Sequence, residues 1–104
     1  GTASSGEATA IAFLGRPDTR TFGQPSAGFV TANDTFELPD GAYLVVTVGY
    51  EADRTGTAHR DALVPDELVP IVPDGEPIPA SPPTPDPQVE AALDWVARAP
   101  GCVD

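Results

Sequence analysis

The sequence predicts a mixed α/β fold, and three stretches carry that expectation. Residues 4–15 have a helical pattern with a start signal, two strand-like runs flank the turn Pro39-Asp40-Gly41, and a second helix begins at Asp86-Pro87. Helix, strands and helix then alternate along one short chain, as in α/β or α+β domains.

The elements follow in order. In SSGEATAIAFLG, Ser4 fits an N-cap, Glu7 fits the third helical position, and Ala8, Ile11, Ala12 and Phe13 supply an apolar face. Gly15 and Pro17 stop that helix, the glycine by a left-handed cap and the proline by its missing N–H. Thr19–Phe22 is a short strand closed by Gly23-Gln24-Pro25, and a loop containing Gly28 covers 26–33. Thr35–Leu38 and Ala42–Tyr50 are predicted as a hairpin across Pro39-Asp40-Gly41. The second of these runs, AYLVVTVGY, is nearly all apolar or β-branched, which predicts a strand buried on both faces. Arg54-Thr55-Gly56-Thr57 is another turn, and an extended piece runs from Val64 to about Val72. Prolines at 70, 73, 77, 79, 82, 83, 85 and 87 make the following segment an extended strap. Asp86 as N-cap and Pro87 at the first position then start a helix with Val89, Leu93 and Val96 on one face and Ala92 and Trp95 flanking it. Pro100-Gly101 ends it.

Composition bounds what this fold can be. The 104 residues include 13 prolines and 10 glycines, so the packable sequence is smaller than the chain and a core of that size is marginal without support. A buried mixed sheet needs more strands than are visible, and they are expected to precede Gly1. The opening Gly1-Thr2-Ala3 carries no leader and reads as a fragment or processed product. Sixteen acids against five arginines give a net charge of −11, which argues against nucleic acid and against an anionic membrane surface. No apolar run is long enough to span a bilayer. The single cysteine, Cys102, permits no internal disulfide and reads as a tail thiol. One histidine and one distant cysteine leave no metal-ligand set, and no cofactor is expected.

Ser4 is the residue with chemical promise. A hydroxyl at a helix start lies beside free backbone N–H groups and the positive end of the helix dipole, donors that can stabilise an oxyanion. The same Ser-x-x-Glu pattern is also an ordinary capping box, and the local pattern alone does not decide between them. His59 is the sole histidine; as a base it would need to reach Ser4 and be oriented by an acid such as Asp61, and otherwise it is a solvent-facing loop residue.

Longer-range motifs resemble a known family. Thr2-Ala3-Ser4-Ser5-Gly6-Glu7 is similar to the nucleophile motif of the C-terminal-processing (tail-specific) serine peptidases. Thr21-Phe22-Gly23-Gln24 resembles their Thr-Phe-Gly-Lys segment, Leu38-Pro39-Asp40-Gly41-Ala42-Tyr43-Leu44 their Leu-x-Asp-Gly-x-x-Leu hairpin, and Val64-Pro65-Asp66 the Pro-Asp after the next strand. These matches cover residues 1–70 in the family's order, and the chain most resembles the branch of nisin-resistance proteins and tricorn-like peptidases.

The resemblance implies a crotonase-like α/β spiral catalytic domain, present here as its C-terminal half over 1–72, followed by the strap at 73–87 and a helix and tail at 88–104. It implies Ser4 as nucleophile, the amides of Ser5 and Gly6 as oxyanion donors, and Glu7, Gln24 and Glu51 as substrate-contacting or supporting residues. Asp53 and Asp61 compete with Glu51 for the role of orienting acid. The family's dyad lysine is replaced by Gln24 and the chain has no lysine, so a Ser–Lys dyad within it is excluded. The histidine base of the related branch is then expected from upstream sequence, with the N-terminal half of the same protein as partner and a peptide or protein as substrate. The chain alone is expected to be inactive, and an extracytoplasmic location is implied by the family. A non-catalytic peptide-binding module and a purely structural half-domain, exchanged within a homo-oligomer, are the rival readings.

Overall fold

The structure, a computed structural model, describes residues 1–99 and 101. It contains both helices and strands: helix α1 (Ser5–Phe13), strands β1 (Phe22–Gly23), β2 (Thr31–Glu37), β3 (Tyr43–Tyr50) and β4 (Glu67–Leu68), and helix α2 (Pro87–Val96). The mixed class expected from the sequence is therefore the observed one. The chain divides into two compact units, one of residues 1–16 and 26–63, the other of 17–25 and 64–104. Neither helix is long and apolar enough to cross a membrane.

The first unit holds α1 and the β2–β3 hairpin. Helix α1 starts after Ser4 and ends at Phe13, with Gly15 at φ 72° just beyond it. A side chain at Gly15 would strike Thr55 Cγ2 at 2.8 Å, so the position needs glycine for space as well as for backbone conformation. The covered stripe of α1 runs through Glu7 and Ile11, one helical turn apart. Ala12 and Phe13, expected on that face, are exposed, and the Arg16 guanidinium covers the Phe13 ring at 5.3 Å.

β2 and β3 pair antiparallel from Thr31↔Tyr50 to Glu37↔Tyr43, with an irregularity between Ala32 and Asn33 that passes over Val48. The turn forms where the Pro-Asp-Gly sequence predicts it, with Gly41 at φ 83° and its N–H donating to the Leu38 carbonyl at 2.9 Å. The burial expectation for β3 is overturned. Val45 is 62% exposed and Tyr43 66%, and Leu44, Val46, Val48 and Tyr50 are exposed as well. The physical reason is plain: the sheet has two strands, and no other element of the unit packs on them.

The second unit is organised by a short parallel pair. Thr21 and Asp66 clasp each other: Asp66 Oδ2 accepts from the Thr21 N–H and hydroxyl, both at 2.8 Å, and Thr21 Oγ1 accepts the Asp66 N–H at 2.9 Å. The clasp sets the register Phe22↔Glu67 and Gly23↔Leu68. Those donors, helped by the charge of Arg20, hold the Asp66 carboxyl below its ordinary range.

Helix α2 begins as expected: Asp86 Oδ1 accepts from Gln88 N at 2.8 Å and Val89 N at 3.3 Å, with Pro87 at the first helical position. Its covered side differs from the expected one. Trp95 meets the Phe22 ring at 6.2 Å and Gln88 Nε2 donates to the Val69 carbonyl at 2.9 Å, whereas Val89, Leu93 and Val96 are exposed. Gln88, Ala91, Ala92, Trp95 and Ala99 share that side at helical spacing, so one aromatic anchor and small residues decide the orientation. The strap before α2 has turns but no helix or strand. Pro100, expected to end the helix, and Cys102 lie outside the described residues.

Candidate active site at the start of the first helix

Ser4 occupies the N-cap of α1, exposed, in a backbone conformation foreign to ordinary caps: φ 51°, ψ −115°. N-cap residues normally sit in the extended region, and a non-glycine residue at positive φ costs about 1–3 kcal/mol. Ser4 and Glu7 hold the two positions of a capping box, and the Glu7 arm is short, with Oε2 accepting the Ser4 N–H at 2.7 Å. The reciprocal contact, from the Glu7 N–H to the Ser4 side chain, is present as well, but it falls short of a strict cap hydrogen bond. The Ser4 hydroxyl is thus only weakly engaged in capping the helix.

Glu7 is completely buried, at 0% exposure. Oε1 accepts from the Ser26 hydroxyl at 2.5 Å and from the Gly28 N–H at 2.6 Å. Burial pushes its carboxyl up, but the donors Ser26, Gly28, Ser4 and Phe29 together outweigh burial and hold it below its ordinary range. The loop it grips is fixed in turn. Ser26 Oγ accepts the Leu63 N–H at 2.8 Å, the Ser26 N–H donates to the Leu63 carbonyl at 3.0 Å, and the Ala27 N–H donates to the Thr2 carbonyl at 2.9 Å. Gly28 sits at φ 87°, and a Cβ there would lie 3.1 Å from the Ala62 backbone nitrogen. Glu7 thus faces inward, as the internal anchor of the segment that carries Ser4.

The two expected oxyanion amides separate. The Gly6 N–H already donates to the Ala3 carbonyl at 3.0 Å. The Ser5 N–H, first in the helix, has no such acceptor among the described residues and stands beside Ser4.

His59 is held by an acid, though by a different one than expected. Its Nε2 lies 3.1 Å from Asp53 Oδ2, while Asp61 is exposed. Asp53 also gathers the Thr55 hydroxyl at 2.6 Å and the Thr55 and Thr57 amides at 2.8 and 3.2 Å, which lower its carboxyl to about 2. A carboxylate can only accept, so Nε2 carries the proton of this contact. The turn that supplies Asp53 packs on the far end of α1, where Arg54 Nη2 donates to the Ala12 carbonyl at 2.9 Å. Ala12 is eight residues beyond Ser4, about 12 Å along a helix, so His59 serves this turn.

Glu51 is partly buried, and its Oε2 is a buried carboxylate oxygen with no protein partner among the described residues. Its backbone is engaged on both sides, N–H to the Val30 carbonyl at 3.0 Å and carbonyl from the His59 N–H at 2.8 Å. Gln24, in the other unit, is exposed, and its Oε1 accepts from the Ile71 N–H at 3.4 Å. Sequence reasoning missed Ser26 and Gly28 as partners of Glu7, because a loop serine and glycine carry no periodic signal.

No known family model matches the chain. Over 60 residues, 58% of its length, it is 42% identical to the nisin-resistance protein of Lactococcus lactis subsp. lactis. A solved lipoprotein from Streptococcus agalactiae superimposes on 90% of the chain with a TM-score of 0.65 and 33% sequence identity. The chain spans only 19% of the first relative and 28% of the second. The similarity to a nisin-resistance protein agrees with the branch that the motifs around Ser4 and the hairpin resemble.

Proposed function

We propose that this chain is the nucleophile-bearing part of a bacterial serine peptidase of the C-terminal-processing type, with Ser4 as nucleophile. The observation that carries the reading is the state of Ser4: exposed, strained, only weakly engaged in capping and beside an open amide. Strained serines at the entrance of a helix are how several hydrolases present a hydroxyl to a carbonyl. Similarity to a nisin-resistance protein supports the same class.

In this mechanism Ser4 Oγ attacks a peptide carbonyl of the substrate. Its proton passes to a histidine contributed by preceding sequence, and the Ser5 N–H helps hold the oxyanion. The leaving amine takes that proton, and water hydrolyses the acyl-enzyme. The unpartnered Glu51 Oε2 is the best candidate for an acid that orients an incoming histidine, because Asp53 is already committed to His59. The exposed faces and edges of β2–β3 are covered by the preceding part of the same domain, completing a crotonase-like sheet; a strand apolar on both faces belongs inside a larger sheet. An extracytoplasmic, membrane-anchored location accords with the lipoprotein relative.

The test is intact-mass spectrometry of the full-length protein after reaction with a fluorophosphonate, mapped to the residue. One adduct on Ser4, abolished in Ser4→Ala, is expected. A folded protein that takes no adduct there sinks the reading and favours the peptide-binding module. The 104-residue chain alone should cleave nothing; cleavage lost in Ser4→Ala would promote His59 to the base.

A further inference from the structure

We infer that Glu7 is a positioning residue for Ser4, a buried carboxylate clamp that holds the serine in its strained conformation. The inference rests on the peptidase reading for its kinetic consequence and on the geometry alone for the clamp.

The argument starts from what each oxygen meets. Oε2 takes the Ser4 N–H at 2.7 Å; Oε1 takes the Gly28 N–H at 2.6 Å and the Ser26 hydroxyl. Both oxygens thus face a backbone N–H, and a backbone N–H can only donate. A carboxylate satisfies both sides, whereas a carboxamide cannot: whichever way it is turned, its NH₂ opposes either Ser4 or Gly28. The position therefore requires the ionised acid. A simple capping box does not, since glutamine serves there as well as glutamate.

The clamp is anchored at its other end as well. Ser26 is bonded twice to Leu63, and the Gly28 conformation is closed to larger residues by Ala62. Glu7 is inaccessible to solvent, so nothing outside the protein competes for its oxygens. The Ser4 N–H is thereby fixed relative to a rigid loop, and the φ of Ser4 is fixed with it. Strain of this kind persists only where the surroundings over-determine it, and Glu7 supplies that determination. The surrounding donors hold its carboxyl below the ordinary range against the opposing effect of burial, which favours the ionised clamp.

The experiment compares wild type with Glu7→Gln in the full-length protein, through fluorophosphonate kinetics and amide hydrogen exchange. Glu7→Gln should lower the rate of covalent attack at saturating probe by about 10²-fold, the size of effect a small misplacement produces. The probe concentration at half-saturation should hardly move. A purely structural role would lower the active fraction and leave the rate per active site unchanged. Equal attack rates in folded wild type and Glu7→Gln overturn the inference. Should the variant fail to fold, wild type still decides: the Ser4 and Gly28 amides must be strongly protected, and rapid exchange at Ser4 removes the clamp. If wild-type Ser4 takes no probe, the peptidase reading falls and amide protection alone decides the clamp.

Discussion

The two helices of this chain begin in opposite ways. At α2, Asp86 sits at φ −86°, ψ 117° and its side chain accepts two of the orphan amides, the arrangement that stabilises a helix most simply. At α1, Ser4 sits at φ 51°, ψ −115°, its hydroxyl makes only a weak capping-box contact, and its N–H is held by Glu7. The first terminus is built for stability. The second weakens its cap and carries strain at a hydroxyl placed at the positive end of a helix, the feature on which the proposed nucleophile rests.

That contrast can be broken most forcefully at Gly28. Alanine there must keep φ 87° with a Cβ 3.1 Å from backbone, while the amide still reaches Glu7. Gly28→Ala should cost about 1–3 kcal/mol in denaturant unfolding of the full-length protein and should expose the Ser4 amide to exchange. A neutral substitution would mean that the 26–28 loop does not brace α1.

Acid should act next. Glu7, Asp53 and Asp66 all have folded-state carboxyls below their ordinary values, Asp53 at about 2. A depressed carboxyl contributes stability that is fully present above its unfolded pKa, about 4, and is lost as pH falls through the folded value. Stability should therefore be flat in these groups above about pH 5 and decline steadily toward the Asp53 value of about 2. Asp53→Asn should flatten part of that decline and release the His59 ring, seen as a shift of its NMR signals. An acid limb identical in wild type and variant would disconnect the turn from acid stability.

How much of this could be read from the sequence divides along a physical line. The start signals of both helices, the Pro-Asp-Gly turn and the proline strap depend on local chemistry, and all appear within a residue or two of where they were expected. Ser4 was legible as an N-cap for the same reason, and its backbone conformation was not, since that depends on Ser26 and Gly28 far along the chain. The pairing of His59 with Asp53 instead of Asp61 is a matter of turn geometry: three donors on Thr55 and Thr57 wrap the carboxylate of Asp53. The facing of α2 went astray because Trp95 on Phe22 outweighs three aliphatic residues when few partners are available. β3 reads as an interior strand and is exposed here, because strand composition does not say whether a second layer packs on it and none in its unit does.

The smallest effect sharpens the comparison best. Asp86→Ala removes two real acceptor contacts and should cost about 1 kcal/mol, measured as a shift in the unfolding midpoint of the full-length protein. Ser4→Ala removes a hydroxyl that makes only a weak capping-box contact and keeps the same strained backbone, so its cost should stay within a few tenths of a kcal/mol. Were Ser4 an ordinary cap, the two substitutions would cost the same. A residue whose loss abolishes labelling yet leaves stability untouched is one that the fold maintains for chemistry, and the ratio of these two costs measures how much capping the Ser4 hydroxyl still does, the quantity that separates the proposed nucleophile from a structural serine.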